Sequence, residues 1–248
     1  MSSSAMKPVM ETGWYGKIPV AGDFVHRRLP RNVIAAWDLW LQGNLASHRH
    51  VGVAREGRGL ADRIWNFLLP AGVGQGWVQA GCITPSTDRV GRQYALLALV
   101  LLDPADWSPV WADRLGPAYQ KIGTGLRDVV SRGHTADYLD HVLLDVGHDL
   151  DLTLQPRPPA EPVLSSSSQD ILDILNSGKA PEIQQEAEPE AARTHALPLQ
   201  GFNAFAHTSC WWTNAQEGGA MRTYVHGGRP DSSLFNRLFV PANSARLL

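Results

Sequence analysis

The nine residues from Tyr94 to Leu102, YALLALVLL, constrain this chain more than any other stretch. Every position is apolar, so an extended segment here has no face to offer to water. A strand apolar on both faces belongs in the centre of a sheet covered on both sides. Helical and extended patterns alternate along the rest of the chain. The expectation is therefore an α/β fold, a sheet flanked by helices.

The flanking elements follow from periodicity and turn chemistry. TGWYGKIPVAGD, from Thr12 to Asp23, reads as a strand followed by a Pro/Gly turn. Ile34, Trp37, Leu41 and Leu45 step by three or four and predict a helix from about Arg31 to His48, with Pro30 suited to its start. GWVQAGCIT is a second strand before the apolar one. A long helical stripe runs from Val110 to about Arg132, with Asp103 or Asp106 as a cap and Gly116-Pro117 as a kink or break. Another helix is expected from Thr135 to Leu144. Phe202, Ala204 and Ala206 alternate with polar residues and lead into SCWWT as a strand, paired through AQEGGA with AMRTYVHGG. DSSLFNRLF closes as a short capped helix.

Between residues 155 and 200 the composition turns to proline, serine and glutamate, with few aromatics. Such a stretch buries too little surface to offset its ordering entropy, so a flexible, disordered insertion is expected within one domain spanning 1–248. Within it SQDILDILNSG has the pattern of a short amphipathic helix.

The 248 residues, 44% of them hydrophobic, suffice for one sizeable core. A net charge of -2 argues against a general electrostatic grip on nucleic acid or an anionic membrane. The longest apolar run is far short of the roughly 20 residues of a membrane-spanning helix. The N-terminal MSSSAMKPVMET lacks the pattern of a secretory signal. These features read as a cytoplasmic protein. Cys82 and Cys210 sit between apolar neighbours and read as buried free thiols.

No known catalytic set stands out. There is no G-x-S-x-G elbow, and AGVGQG lacks the lysine and hydroxyl of a phosphate-binding loop. His48 and His50, or His148 with Asp149 and Asp151, lack the spacing that fixes a zinc site. No metal and no cofactor are expected. One loop is unusual: PSTDRVGR sets Asp88, Arg89 and Arg92 at the entrance of the apolar strand. Arginine forks bind carboxylates in two bonds, so the loop can satisfy itself or pair with Asp23. Three readings fit: a structural lock, a partner-binding face, or an acid site with Asp23, Asp88 and His26 or His207 for hydrolysis.

GWYGKIPVAGDFVHRRLP, WDLWLQ, PSTDRVGRQYAL, SCWWT and GGRPDSSLFNRLF, in that order, resemble the TagF (or ImpM) family associated with type VI secretion in Gram-negative bacteria. The likeness runs from about Gly13 to Leu238; departures at Trp14, Thr87, Tyr94, Ala95 and Arg229 affect local packing. The resemblance implies an α/β three-layer sandwich, a mixed sheet flanked by helices, with no enzymatic activity and a role as post-translational repressor or adaptor. It would bind the forkhead-associated scaffold protein of the system, with no nucleic acid and no membrane insertion. The expected partner-binding residues are Lys17, Asp23, Asp88, Arg89 and Arg92.

Overall fold

The computed structural model describes residues 10–50, 63–154, 201–214 and 221–240. Seven strands form one sheet: β1 (Met10–Gly16), β2 (Val25–Arg27), β3 (Trp65–Leu69), β4 (Val78–Thr87), β5 (Gln93–Leu102), β6 (Thr208–Thr213) and β7 (Thr223–Gly227). Their order is β2-β1-β5-β4-β3-β6-β7. The apolar strand β5 lies between β1 and β4, as its composition demands. Leu96, Ala98, Val100 and Leu102 join one core; Leu97, Leu99 and Leu101 join the other.

Two helices cover each face. On the first, α2 (Val110–Arg132) and α3 (Ala136–Leu154) bury Trp111, Tyr119, Ile122, Leu139 and Leu143 against Trp14 and Trp212. On the second, α1 (Arg31–His50) and α4 (Ser232–Phe239) bury Trp37, Trp40, Phe235 and Phe239 against Phe67 and Trp211. The tryptophans of this second face are tied down at their polar ends as well. Trp37 Nε1 donates to Gln79 Oε1 at 2.9 Å, Trp40 Nε1 to the Asp231 carbonyl at 2.8 Å, and Trp65 Nε1 to the Leu238 carbonyl at 2.9 Å.

The three-layer expectation holds, with one correction: every pairing among the described strands is antiparallel, so the sheet is not mixed. β4 and β5 form a long antiparallel hairpin, and α2 leads into α3 without an intervening strand. Three boundaries also differ. Helix α2 continues through Gly116-Pro117, because its buried stripe from Trp111 to Val129 outweighs one missing backbone bond. Asp103 caps a separate turn, Pro104–Asp106, rather than α2. Helix α3 extends past Leu144 because Val146 and Leu150 prolong its buried stripe.

Residues 201–207 form turns instead of a strand. The Ala204 carbonyl accepts from Ala71 N at 2.8 Å, and Phe202 packs edge-on to Trp107. Strand β6 then begins at Thr208, and β6 and β7 pair as expected, the tip 215–220 lying outside the described residues. The predicted insertion 155–200, its amphipathic segment and the side chains of His48 and His50 also lie outside the described residues. Cys82 is buried, Cys210 half-buried, and both are free.

Candidate functional site: two turns locked at one end of the sheet

Strand β1 ends at Gly16, where φ is +143° and a Cβ would stand 2.2 Å from the Ala95 carbonyl oxygen. Only glycine permits that approach. The chain then turns through 17–24 beside the β4–β5 hairpin loop 88–92. Backbone and side chains both join the two turns. Arg89 N donates to the Ala21 carbonyl at 2.9 Å, and Arg92 Nη2 to the Gly22 carbonyl at 3.0 Å.

Asp88 is the centre of this joint. Its side chain is fully buried. Oδ2 accepts from Lys17 Nζ at 2.9 Å and from Arg92 Nε at 2.6 Å. Oδ1 accepts the backbone amides of Val90 and Arg92 at 3.1 and 2.9 Å. Burial alone would raise the carboxyl's pKa. The bonds from Lys17 and Arg92, with the Lys17 charge, outweigh it and hold the group below the ordinary carboxylate range.

An aromatic layer seals the joint. Phe24 stacks on Tyr15 at 5.8 Å and meets Tyr94 edge-on at 4.7 Å, while Lys17 Nζ lies 4.9 Å from the Phe24 ring centre. Behind it, Asp38 of α1 accepts the Tyr15 and Tyr94 hydroxyls on Oδ1 at 2.5 and 2.6 Å, and Gln42 Nε2 on Oδ2 at 2.7 Å. Burial first, and the bond to Asp38 second, push both phenols well above their ordinary pKa.

The five residues singled out in the sequence thus gather at one end of the sheet, in different roles. Lys17, Asp88 and Arg92 form the lock. Asp23 is exposed and accepts the Phe24 amide at 2.7 Å; of the two pairings the sequence left open, Arg92 takes Asp88 of its own loop, and no arginine among the described residues pairs with Asp23. Arg89 is exposed, with its guanidinium close to Gly22 and no carboxylate partner among the described residues. Its neighbour Val90 is 69% exposed, and Val20 and Phe24 of the adjoining turn are 44% and 37% exposed.

Of the acid–histidine sets suggested for hydrolysis, the one with His207 is not assembled, and His26 lies exposed on β2 opposite Tyr15. Both oxygens of Asp88 are taken by donors, and His207 packs beside Gly72, beyond the end of β3 that pairs with Gln79. Asp88 lies past the opposite end of β4. Phe24 and Asp38 were missed in the sequence. Each stands inside a quoted motif, GDF and WDLW, but nothing in spacing alone shows that a helix aspartate meets two strand tyrosines.

Family comparison agrees with this architecture. The model of the TagF N-terminal domain, type VI secretion system-associated, matches residues 13–146, more than half of the chain. The chain belongs to the TagF N-terminal domain family. Both turns of the TagF joint fall inside the matched region. The crystal structure of PA0076 from Pseudomonas aeruginosa PAO1 is similar in fold, with a TM-score of 0.57 at 24% identity over 92% of this chain and 93% of that one. No curated protein matches the chain. Among the described residues no helix is long and apolar enough to cross a membrane, and no group of side chains is arranged to hold a metal ion.

Proposed function

We propose that this TagF domain is a non-enzymatic accessory protein of type VI secretion. It acts in the cytoplasm as a post-translational repressor or adaptor and binds the forkhead-associated scaffold component. The contact surface is the tip built by the two locked turns. One observation carries this reading: the joint spends Asp88 on Lys17 and Arg92, yet leaves Arg89 exposed next to the exposed Val90, on two joined turns that also expose Val20 and Phe24. An exposed arginine on a fixed backbone, with exposed apolar residues on the same two turns, is the composition of an interface anchor. A saturated, buried carboxylate is no general base.

The test is direct binding of the purified scaffold protein by titration calorimetry. Arg89→Glu should weaken binding roughly tenfold or more and leave the melting temperature unchanged, since no carboxylate pairs with Arg89. Arg92→Glu should lower the melting temperature, because it places a second carboxylate against Asp88. Unaltered affinity in both Arg89→Glu and Val90→Asp would remove the tip as the docking surface.

A further inference from the structure

The two edges of the sheet are built differently. Strand β2 has three residues, carries Arg27, and stops where Arg28 enters the left-handed region at φ 54°. Short length and charge are the usual guards against a further strand. Strand β7, at the opposite edge, is TYVHG: five residues with continuous register to β6, no lysine, proline or carboxylate, and Val225 62% exposed.

Which backbone groups of β7 face outward follows from its pairing. Thr213 N donates to the Arg222 carbonyl at 2.9 Å and Gly228 N to the His207 carbonyl at 2.6 Å. Antiparallel bonding alternates, so Arg222, Tyr224, His226 and Gly228 bond inward to β6. The N–H and C=O groups of Thr223, Val225 and Gly227 point away from the sheet, and no described strand lies beyond them. Arg222 and Arg229 flank this row. Both are exposed, and neither has a carboxylate partner among the described residues.

We infer that the β7 edge takes up an extended segment of a protein partner as an eighth strand, uncharged at its centre and acidic at both ends. The row of outward backbone groups supplies the hydrogen bonds, Val225 meets an apolar side chain on the same face, and the two arginines receive the flanking carboxylates. A second copy of the chain fits poorly. Pairing β7 with itself about Val225 would bring Arg222 of one copy alongside Arg229 of the other. This surface is separate from the tip and does not depend on it.

The experiment uses the full chain and a fluorescent peptide, Glu-Thr-Val-Thr-Val-Thr-Val-Glu, with a lysine-ended analogue and an analogue N-methylated at the central valine. The acidic peptide should bind roughly tenfold more tightly than the lysine-ended one, and N-methylation should abolish binding. Val225→Pro should also abolish binding while the protein stays folded, because an edge strand tolerates proline where its N–H faces outward. The Arg222→Glu, Arg229→Glu double variant should reverse the preference between the two charged peptides. Equal affinity for both, no binding of either, or binding that survives Val225→Pro would overturn the inference. So would amides of Thr223, Val225 and Gly227 already slow to exchange in the free chain, or a dimer that Val225→Pro dissociates. Either would mean that the chain itself occupies the edge.

Discussion

Replacing Tyr94 with phenylalanine isolates one bond in the layer beneath the tip. The ring, with its edge contact to Phe24 at 4.7 Å, stays; only the hydroxyl that donates to Asp38 at 2.6 Å is lost. A net hydrogen bond to a charged group contributes about 1.5–3 kcal/mol. Asp38 keeps Tyr15 and Gln42, so its carboxylate is not orphaned, and the lower figure of about 1.5 kcal/mol is expected. For a chain of this size that lowers the melting temperature by roughly 3–6 °C. Asp38→Leu should cost more, because it deprives two buried phenols of their acceptor. In that background Tyr94→Phe should cost little, giving a coupling of about 1 kcal/mol in the double-mutant cycle. The pH dependence has a definite sign. Both phenols are raised above the ordinary tyrosine value, so their contribution is intact below about pH 10 and fades as pH rises toward their folded-state values. Urea titrations followed by circular dichroism between pH 7 and pH 11 should show a shallower alkaline loss for Tyr94→Phe than for the parent. A neutral substitution at pH 7, or equal alkaline slopes, would refute the assignment of Asp38 as shared acceptor.

Lys17→Met should destabilise the protein at neutral pH, because Asp88 stays buried with one cation fewer, and should leave less stability to be lost in acid. Asp88 titrates below its ordinary value, so the lock is complete above about pH 4 and is lost as pH falls. Thermal melts from pH 7 to pH 3 should therefore converge for the parent and Lys17→Met. Gly81→Ala in β4 should destabilise by about 1–3 kcal/mol or prevent folding. Its Cβ would stand 2.3 Å from the Ala98 carbonyl oxygen and 2.7 Å from Leu99 Cα, both backbone atoms of the central strand. Soluble yield and melting temperature check this.

The part of the fold legible in the sequence was the part set by local pattern. Tyr94 to Leu102 announced a strand covered on both sides, and α1 and α4 followed from periodicity and the Asp231 cap, whose Oδ1 accepts Leu234 N at 2.9 Å. Strand direction was not local, because it depends on which hairpins close, and the resemblance alone supplied the expected mixed sheet. Alternation misled at Phe202, Ala204 and Ala206, where the backbone serves the 70–77 turn instead of a neighbouring strand. At the site, the turn carrying Lys17 and the loop carrying Asp88 were both visible, but not who pairs with whom. The sequence left open whether the loop satisfies itself or pairs with Asp23. The structure takes the first course, Arg92 on Asp88, and adds Lys17, because the chain after Gly16 buries the lysine whereas Asp23 stays exposed.

The two arginines of PSTDRVGR divide the work of the loop, and backbone geometry decides how. Arg92 sits four residues after Asp88 and spends Nε on its carboxylate and Nη2 on the Gly22 carbonyl. It is held from both turns, with its position fixed by these two bonds. Arg89 is held by its backbone alone, through its amide to Ala21. Its main chain is therefore fixed while its guanidinium stays uncommitted to any described carboxylate. Ordering a long side chain on a mobile loop subtracts from binding, and a pre-fixed backbone removes part of that cost before any partner arrives. The lock and the anchor are then not rival readings of one motif. Without the Lys17–Asp88–Arg92 contacts the loop would lose its register with the 17–24 turn, and the Arg89 backbone would lose its fixed place against Ala21. A lock variant should accordingly bind the partner more weakly through a slower or less favourable ordering of the loop. Arg89→Glu should act on the contact itself, and temperature-dependent calorimetry separates the two by the sign of the entropy change.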